Sequence, residues 1–429
     1  MLPQCRCHDE PYPVPKFSLE QHDVESFIPQ LREFLSEFDD CFSRSEPREN
    51  LHRYMVGQFS QVERKSIEPI ALQVEGGEVR SMQRFISDVV WDEAAIITKH
   101  HVLVGNDMGD PAGVLIFDES GCAKKGEDSA GVAKQYCGSL GKVENCQVGV
   151  FAAYASPQGY ALLDTELFVP EKWFEESYEE KRKKCNFPEE LTFKTKPHLA
   201  VKMLERVEKC ETLPFKYVVA DSIYGVSPDF ISAIEQRIGL TYFVQVPSDT
   251  LCWMRHPSIR EKTCKHKGQL KTKRYVPPEE KKPITISDFA KNLNGVFWYR
   301  RRVSEGTKGP IEYEFTKRRV ILCQDGLPVK TVWLIIKRTI SGGRSYSFYF
   351  SNAPVSTRLK TFVWLSGIRW AIEQCFEETK TELGLDHYEV RKYPGWRHHM
   401  LSCMLAHFFL WHMRIRLGEK SSLAYDIAA

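Results

Sequence analysis

Gly113-Val114-Leu115-Ile116-Phe117-Asp118 is an apolar run closed by a carboxylate, and the reading of the chain turns on it. A second run of the same form follows downstream, Lys216-Tyr217-Val218-Val219-Ala220-Asp221. Short runs rich in β-branched residues read as buried strands, so each Asp is placed at a strand end. A third carboxylate, Glu373, falls in a helical pattern over Trp364 to Leu383, between Arg369 and Lys380. At about 100° per residue these three side chains lie within roughly 40° of one another along ~16 Å of helix. Two strand-end carboxylates and a third on a distant helix can converge on a pair of divalent cations. Such a pair aligns a phosphodiester for in-line attack by water or a 3′-hydroxyl, and the flanking cations suit neighbouring phosphates. The pattern points to phosphoryl transfer on nucleic acid. Taken singly each residue says less: an Asp after a strand is more often a turn or cap residue, and Glu377 and Glu378 share the helix. Neither of those two, however, has cations at both spacings.

Outward from Asp118 the pattern changes character. Residues 17–110 read as helical, with Phe27, Leu31, Phe34, Leu35 and Phe38, then Val79, Met82, Phe85, Ile86 and Val89, at helical spacing. Strands follow at Val114–Asp118, Gln147–Ala155 and Tyr160–Phe168, then a helix His198–Cys210, the strand ending at Asp221, a helix Pro228–Arg237 and a strand Thr241–Val246. Three strands in hairpin succession, then helix–strand–helix–strand, is the order of an α/β ribonuclease-H-like core. The separation of Asp221 from Glu373 is longer than one crossover needs, so a β-rich insertion is expected over 248–355. Its strands read as Gly295–Val303, Ile311–Phe315, Arg319–Cys323, Thr331–Lys337 and Ser345–Ser351, and Lys262–Pro283 reads as a mobile loop. The expected domains are thus a helical DNA-binding domain (1–110), the first part of the core (111–247), the insertion (248–355), and the last part of the core (356–429).

Composition sets limits on the alternatives. At 429 residues, 42% hydrophobic and 27% charged, the chain has room for more than one core. The net charge of +2 does not announce a nucleic-acid binder, but Arg255 to Arg274 gathers Arg255, Arg260, Lys262, Lys265, Lys267, Lys271, Lys273 and Arg274 against Glu261 alone. That stretch reads equally as a phosphate-tracking surface or a solvated loop. The 13 cysteines sit mostly singly in apolar surroundings, the pattern of reduced thiols, and a cytoplasmic protein is expected. The N-terminus carries no apolar signal segment, and no apolar stretch reaches the ~18 residues of a membrane span. Cys252-x3-His256-x7-Cys264-x-His266 fits no standard zinc spacing, Cys5-x-Cys7-His8 has no second half nearby, and His398-His399 read as packing or phosphate-contacting residues. No phosphate-binding glycine loop or dinucleotide fingerprint is present, so no nucleotide cofactor is implied.

The chain resembles an insertion-sequence DDE transposase of the group marked by Tyr-x2-Arg-x3-Glu-x6-Lys. Arg369, Glu373 and Lys380 match the last three positions, and Ser366 stands where that group has its tyrosine. Further matching blocks are Glu63–Ala71, Asp118–Gly126, Gly138–Gln147 and Gly306–Pro310. The resemblance implies cleavage of a mobile element at its terminal inverted repeats and joining of the 3′ ends to target DNA. It implies Asp118, Asp221 and Glu373 as ligands of two Mg2+ ions (Mn2+ being the other candidate), Arg369 and Lys380 on DNA, and a homodimer on double-stranded DNA. In relatives with such an insertion the excised end passes through a hairpin with a flipped base stacked on a tryptophan. Trp298 is the candidate here, a core aromatic being the other reading. Lys124 and Lys125 either contact phosphates or solvate a turn. The rival reading from another class is a transposase-derived, catalytically inactive, sequence-specific DNA-binding protein.

Overall fold

The computed structural model describes residues 20–427 apart from 267–268, 307–308, 341–342 and 344. The described residues form two compact units, one of 217–368 and a larger one of 20–216 with 369–427. The result is a mixed α/β protein.

The larger unit begins with α1 (Gln21–Ser36), α2 (Ser45–Phe59), α3 (Ile67–Gln73), α4 (Val79–Ser87) and α5 (Glu93–Met108). In α4 the apolar stripe expected from spacing is realised, with Met82, Phe85 and Ile86 buried. Asp92 caps α5 by accepting from the Ala95 amide at 3.0 Å. Four antiparallel strands follow: β1 (Val114–Ala123), β2 (Ala133–Cys137), β3 (Lys142–Ser156) and β4 (Gly159–Phe168). The long β3 is the axis of this layer. One edge takes β1, with Val114 opposite Ala155 and Ala123 opposite Cys146. The other edge is shared by β2, whose Ala133 faces Cys146, and β4, whose Phe168 faces Val148. Helices α6 (Glu179–Lys184) and α7 (Lys196–Val207) complete this stretch.

Asp118 therefore does not end its strand. The ladder continues through Glu119, Ser120 and Gly121 to Ala123, with Glu119 paired to Lys196 at 2.9 Å and Ser120 buried. The short β2 carries too few apolar positions to announce itself in sequence; its burial alternates within five residues.

The second unit runs β5 (Tyr217–Ala220), α8 (Ser222–Gly225), α9 (Pro228–Glu235), β6 (Thr241–Val246), β7 (Leu251–Trp253), β8 (Arg260–His266), β9 (Gln269–Tyr275), β10 (Ile284–Thr285), α10 (Ile286–Lys291), β11 (Tyr299–Gly306), β12 (Gly309–Gln324), β13 (Leu327–Arg338), β14 (Tyr346–Ser351) and α11 (Leu359–Ile368). Its sheet is mixed. β5 and β6 are parallel, and β14, β13, β12 and β11 add antiparallel beyond β6. Asp325 and Gly326 both have positive φ, 52° and 75°, at the turn joining β12 to β13, the backbone that an Asp-Gly hairpin requires. Two expected strands, Ile311–Phe315 and Arg319–Cys323, are one: β12 passes through Thr316-Lys317-Arg318 without a break because β13 pairs along it. The loop expected over Lys262–Pro283 is in large part the β8–β9 hairpin, held by a regular antiparallel register from Arg260/Tyr275 to His266/Gln269.

The chain then re-enters the larger unit as α12 (Trp370–Leu383) and α13 (Tyr393–Ile427). The single helix expected from Trp364 to Leu383 is divided at Arg369, which is the residue before α12 yet keeps helical backbone angles (φ −54°, ψ −31°). Helix α13 packs against β4 and against α2, α4, α5 and α12. His398 and His399 lie inside this packing: His398 stacks on Trp91 at 4.2 Å, and His399 meets the Tyr54 hydroxyl at 2.8 Å. They are packing residues.

Candidate active site

Asp118 sits in the middle of β1 opposite Phe151, with its side chain only 13% exposed. One carboxylate oxygen, Oδ1, accepts from the Glu119 amide at 2.9 Å. The other, Oδ2, accepts from Arg369 Nη1, also at 2.9 Å. The same guanidinium donates through Nη2 to Glu373 Oε1 at 2.6 Å. The i,i+4 spacing of Arg369 and Glu373 makes the second contact a local consequence of helical geometry. The first joins positions 251 residues apart. Asp118, Arg369 and Glu373 are thus one cluster, with two carboxylates on one planar fork, the arrangement for which Arg is suited. Glu373 is the more open of the pair, its side chain 47% exposed.

The other acidic candidates on α12 sort by what they touch. Glu377 is exposed. Glu378 Oε1 accepts from the Tyr160 hydroxyl at 2.5 Å, and Oε2 meets His407 Nε2 at 2.9 Å. Burial pushes the Glu378 carboxyl up, but His407, Tyr160 and Gln374 outweigh it and hold it below its ordinary value. Glu378 therefore ties α12 to β4 and α13. No sequence pattern signals this tie, since Tyr160 is 218 positions away. Lys380 lies in the last turn of α12 and is half-buried.

Asp221, in the second unit, follows β5 and caps the one-turn helix α8 by accepting from the Ser222 amide. Its place after a strand is as expected, and the local capping role is real as well. Lys124 is turned inward: Nζ donates to the Tyr388 carbonyl at 2.8 Å and lies 3.4 Å from the centre of the Tyr388 ring. Burial lowers its pKa to about 8. Lys125 is exposed and borders a cleft also lined by Lys134, Lys172 and Lys181. Trp298 is only 7% exposed, capped by the Arg338 guanidinium at 3.8 Å, with an indole N–H that finds no partner among the described residues. The accessible aromatics beside it are Phe297 and Tyr299, 42% and 48% exposed.

Within the larger unit no third acidic, histidine or cysteine side chain joins Asp118 and Glu373 in a metal-sized group among the described residues. The donor set nevertheless fits hard divalent cations, since carboxylate oxygens match Mg2+ or Mn2+. Arg369 supplies the positive charge that such oxygens require when brought together. Cys252 is a free buried thiol, and the Cys264 and His266 side chains, like Cys5, Cys7 and His8, lie outside the described residues. No described helix is long and apolar enough to cross a membrane.

Comparison with known proteins meets this geometry. Residues 37–310, more than half of the chain, match the family described as DDE superfamily endonuclease. Over 349 residues the chain is 24% identical to a Microchaete diplosiphon protein named "Probable transposase for insertion sequence element IS701", covering 79% of this chain and 76% of that one. Among solved structures, the piggyBac transposase synaptic complex with hairpin DNA is similar at 10% identity and a TM-score of 0.39, over 94% of this chain and 70% of that one. The chain belongs to the DDE superfamily endonucleases.

Proposed function

We propose that this transposase cuts an insertion element at its terminal inverted repeats and joins the 3′ ends to target DNA, using Asp118, Asp221 and Glu373. The observation that carries the reading is the shared guanidinium: Asp118 and Glu373, far apart in sequence, are drawn onto Arg369. In this reading Asp118 and Asp221 jointly hold one Mg2+ or Mn2+ ion and Glu373 helps to hold a second. Bound there, the ions supply Lewis acidity to the attacking and leaving oxygens of an in-line displacement. Arg369 and Lys380 orient the phosphates on either side, and Lys125 adds a phosphate contact. Lys124 is committed to Tyr388, and Trp298 is covered by Arg338, so Phe297 and Tyr299 are the better-placed aromatics for an unpaired base.

Several finer expectations belong to the same proposal. They are a ribonuclease-H-like core interrupted over 248–355, a DNA-binding role for the helices before residue 110, membership of the Tyr-Arg-Glu-Lys group, a hairpin intermediate, and a homodimer assembled on DNA ends. The inactive DNA-binding alternative is not favoured, because the chemistry-bearing carboxylates are present and two of them are gathered.

The test is incubation of wild type and Glu373→Ala with the element's own end DNA and Mg2+, products being resolved on a denaturing gel. Nicked, hairpin and strand-transfer bands are expected for the wild type and should vanish in the variant. A wild type that binds ends but never nicks them would sink the proposal.

A further inference from the structure

In the larger unit α12 packs against β1, and the two are tied at two places. The near tie is Arg369 with Asp118 and Glu373. Side chains alternate along an extended strand, so Asp118, Ser120, Cys122 and Lys124 fall on one face of the chain. Ser120 and Cys122, between the ends of that row, are buried. Lys124 lies ~20 Å of extended chain beyond Asp118. On the helix, Glu373 to Gly384 covers a comparable ~16 Å. The far tie is made there, between Lys124 and Tyr388, so strand and helix run in the same direction.

Helix α12 stops at Gly384, whose φ of 71° is the left-handed backbone that closes a helix. A Cβ at this position would come within 2.6 Å of Lys65 Cβ, which fixes the stop. Four residues on, Tyr388 is buried and held from three sides. Lys124 Nζ donates to its carbonyl at 2.8 Å and lies 3.4 Å from the centre of its ring. Its hydroxyl donates to Gln147 Oε1 on β3 at 2.9 Å, and Gln147 donates in turn to the Ala130 carbonyl at 2.6 Å. From α13, His399 stands 5.1 Å from the Tyr388 ring, and its Nε2 meets the Gly384 and Leu385 carbonyls at 3.1 and 3.2 Å. Lys124 is itself anchored, its amide donating to the Asn145 carbonyl at 2.8 Å and its carbonyl accepting from Asn145 Nδ2 at 2.7 Å.

A carbonyl and a ring do not cancel the charge of Lys124, and burial weighs against that charge. An apolar side chain of the same length would fill the space without that cost. What the ammonium adds is direction: a bond to one backbone atom and a seat on one ring face. That is a geometric demand, and the proposed chemistry supplies a reason for it. Both contacts of the near tie use oxygens that the proposed function assigns to metal ions, so Arg369 loses its hold on the helix as those oxygens are engaged. The far tie uses none of them. Slipping a helix by one residue moves it ~1.5 Å, whereas metal–ligand distances hold to ~0.2 Å. We propose that Lys124 and Tyr388 are positioning residues for the reaction, a clamp that sets where α12 lies along β1 and keeps Glu373 level with Asp118. The inference rests on the transposase reading.

The test uses the full chain with Lys124→Met, Lys124→Arg and Tyr388→Phe beside wild type. Three quantities are measured: Mn2+ affinity of the DNA-free protein by calorimetry, end-DNA affinity by anisotropy against salt, and the nicking rate at saturating end DNA. Lys124→Met, folded by circular dichroism, should bind Mn2+ about fivefold more weakly or worse, short of the ~10–100-fold seen for a partner that touches a metal ligand. Its nicking should slow by about tenfold or more, since ~1 Å of misplacement costs on the order of a hundredfold. End-DNA affinity and salt slope should stay at wild-type values, and Lys124→Arg should recover Mn2+ affinity and nicking to within about threefold. Wild-type Mn2+ affinity or wild-type nicking in a folded Lys124→Met overturns the clamp and leaves the transposase reading standing. Weaker end binding with a salt slope reduced by about one also overturns it, by making Lys124 a phosphate contact. If Lys124→Met does not fold, Tyr388→Phe decides, because it keeps the ring and carbonyl and removes only the bond to Gln147. Mn2+ binding about threefold weaker supports the clamp there, and wild-type binding overturns it. A wild type that never nicks element ends sinks the transposase reading and takes this inference with it.

Discussion

Two clusters in this molecule handle charge in opposite ways. On β1 and α12, two carboxylates meet on one guanidinium, so acidic groups outnumber basic ones among these three side chains. On β11 to β13, Arg301, Lys317, Arg318 and Arg319 are steadied by carbonyls and rings, so positive charge is left over among the described residues. Compare both with the interior of the larger unit, where three cations meet three carboxylates: Arg397 meets Glu93 and Glu166, Arg206 meets Asp164 and Glu166, and Lys202 meets Glu166. Buried ions that serve only the fold are matched, because an unmatched one is expensive. Surplus of one sign, held in fixed geometry near the surface, is what a binding site retains for a ligand of the other sign. The first cluster is suited to cations and the second to anions.

The comparison can be broken most forcefully at the carboxylates. Asp118→Asn or Glu373→Ala should cut Mg2+-dependent nicking by about a thousandfold or more, since a metal ligand contributes several kcal/mol at the transition state. Folding and end binding should persist, as read by circular dichroism and mobility shift; nicking within tenfold of wild type would remove the residue from the chemistry.

Next in size is the balanced interior. Arg397→Ala removes the cation that Glu93 and Glu166 share, leaving Glu166 to Arg206 and Lys202 and Glu93 to His398, and should destabilise the protein by about 3–5 kcal/mol in urea denaturation. A loss below about 1 kcal/mol would show that this network is not a buried ion set in the sense argued here.

Acid should expose the same interior. Burial holds His399 near 4, against an ordinary value of 6.5, although the Leu385 and Gly384 carbonyls partly oppose the shift. The unfolded chain takes up a proton as pH falls below 6.5 while the folded chain does so only near 4, so stability falls across that window. Glu166 acts lower down. Burial pushes its carboxyl up, but Arg397, Arg206 and Lys202 hold it near 2, so its contribution is present above 4.5 and is lost as pH falls towards 2. Urea midpoints measured from pH 7 to pH 4 should decline, and His399→Asn should flatten the decline; a wild-type curve level from 6.5 to 4.5 would contradict the assignment.

The smallest effect sharpens the first cluster. Arg369→Met removes the internal cation that Asp118 and Glu373 share. Mn2+ affinity of the DNA-free protein, measured by calorimetry, should rise by about three- to tenfold, the scale of a partly exposed ion pair. Unchanged or weaker affinity would show that the guanidinium does not compete for those oxygens.

How far the sequence was legible follows the range of the interactions. The apolar run before Asp118, the β1–β3–β4 succession and the stripe of α4 are periodic and local, and they form as read. The Arg369–Glu373 contact is likewise an i,i+4 geometry visible on paper. Three things were not. Strand β1 continues past Asp118, with Glu119 paired to Lys196 on another helix. Lys124 turns inward because the Tyr388 ring and carbonyl receive it, 264 positions away. Trp298 is covered because Arg338 comes to it from another strand.

By itself, then, the sequence marked the carboxylates proposed for the chemistry and the strongly periodic segments such as β3, β4 and α4, because these depend on side-chain type and short periodicities. It determined the Asp-Gly turn between β12 and β13 for the same reason. Only tertiary structure decided that Asp118 and Glu373 share a cation, that Glu378 ties α12 to Tyr160 and His407, and that Arg301, Lys317, Arg318 and Arg319 meet carbonyls rather than carboxylates among the described residues. Those outcomes depend on charges brought together from distant positions. Coulomb energy is set by distance and burial, and neither is written in local sequence.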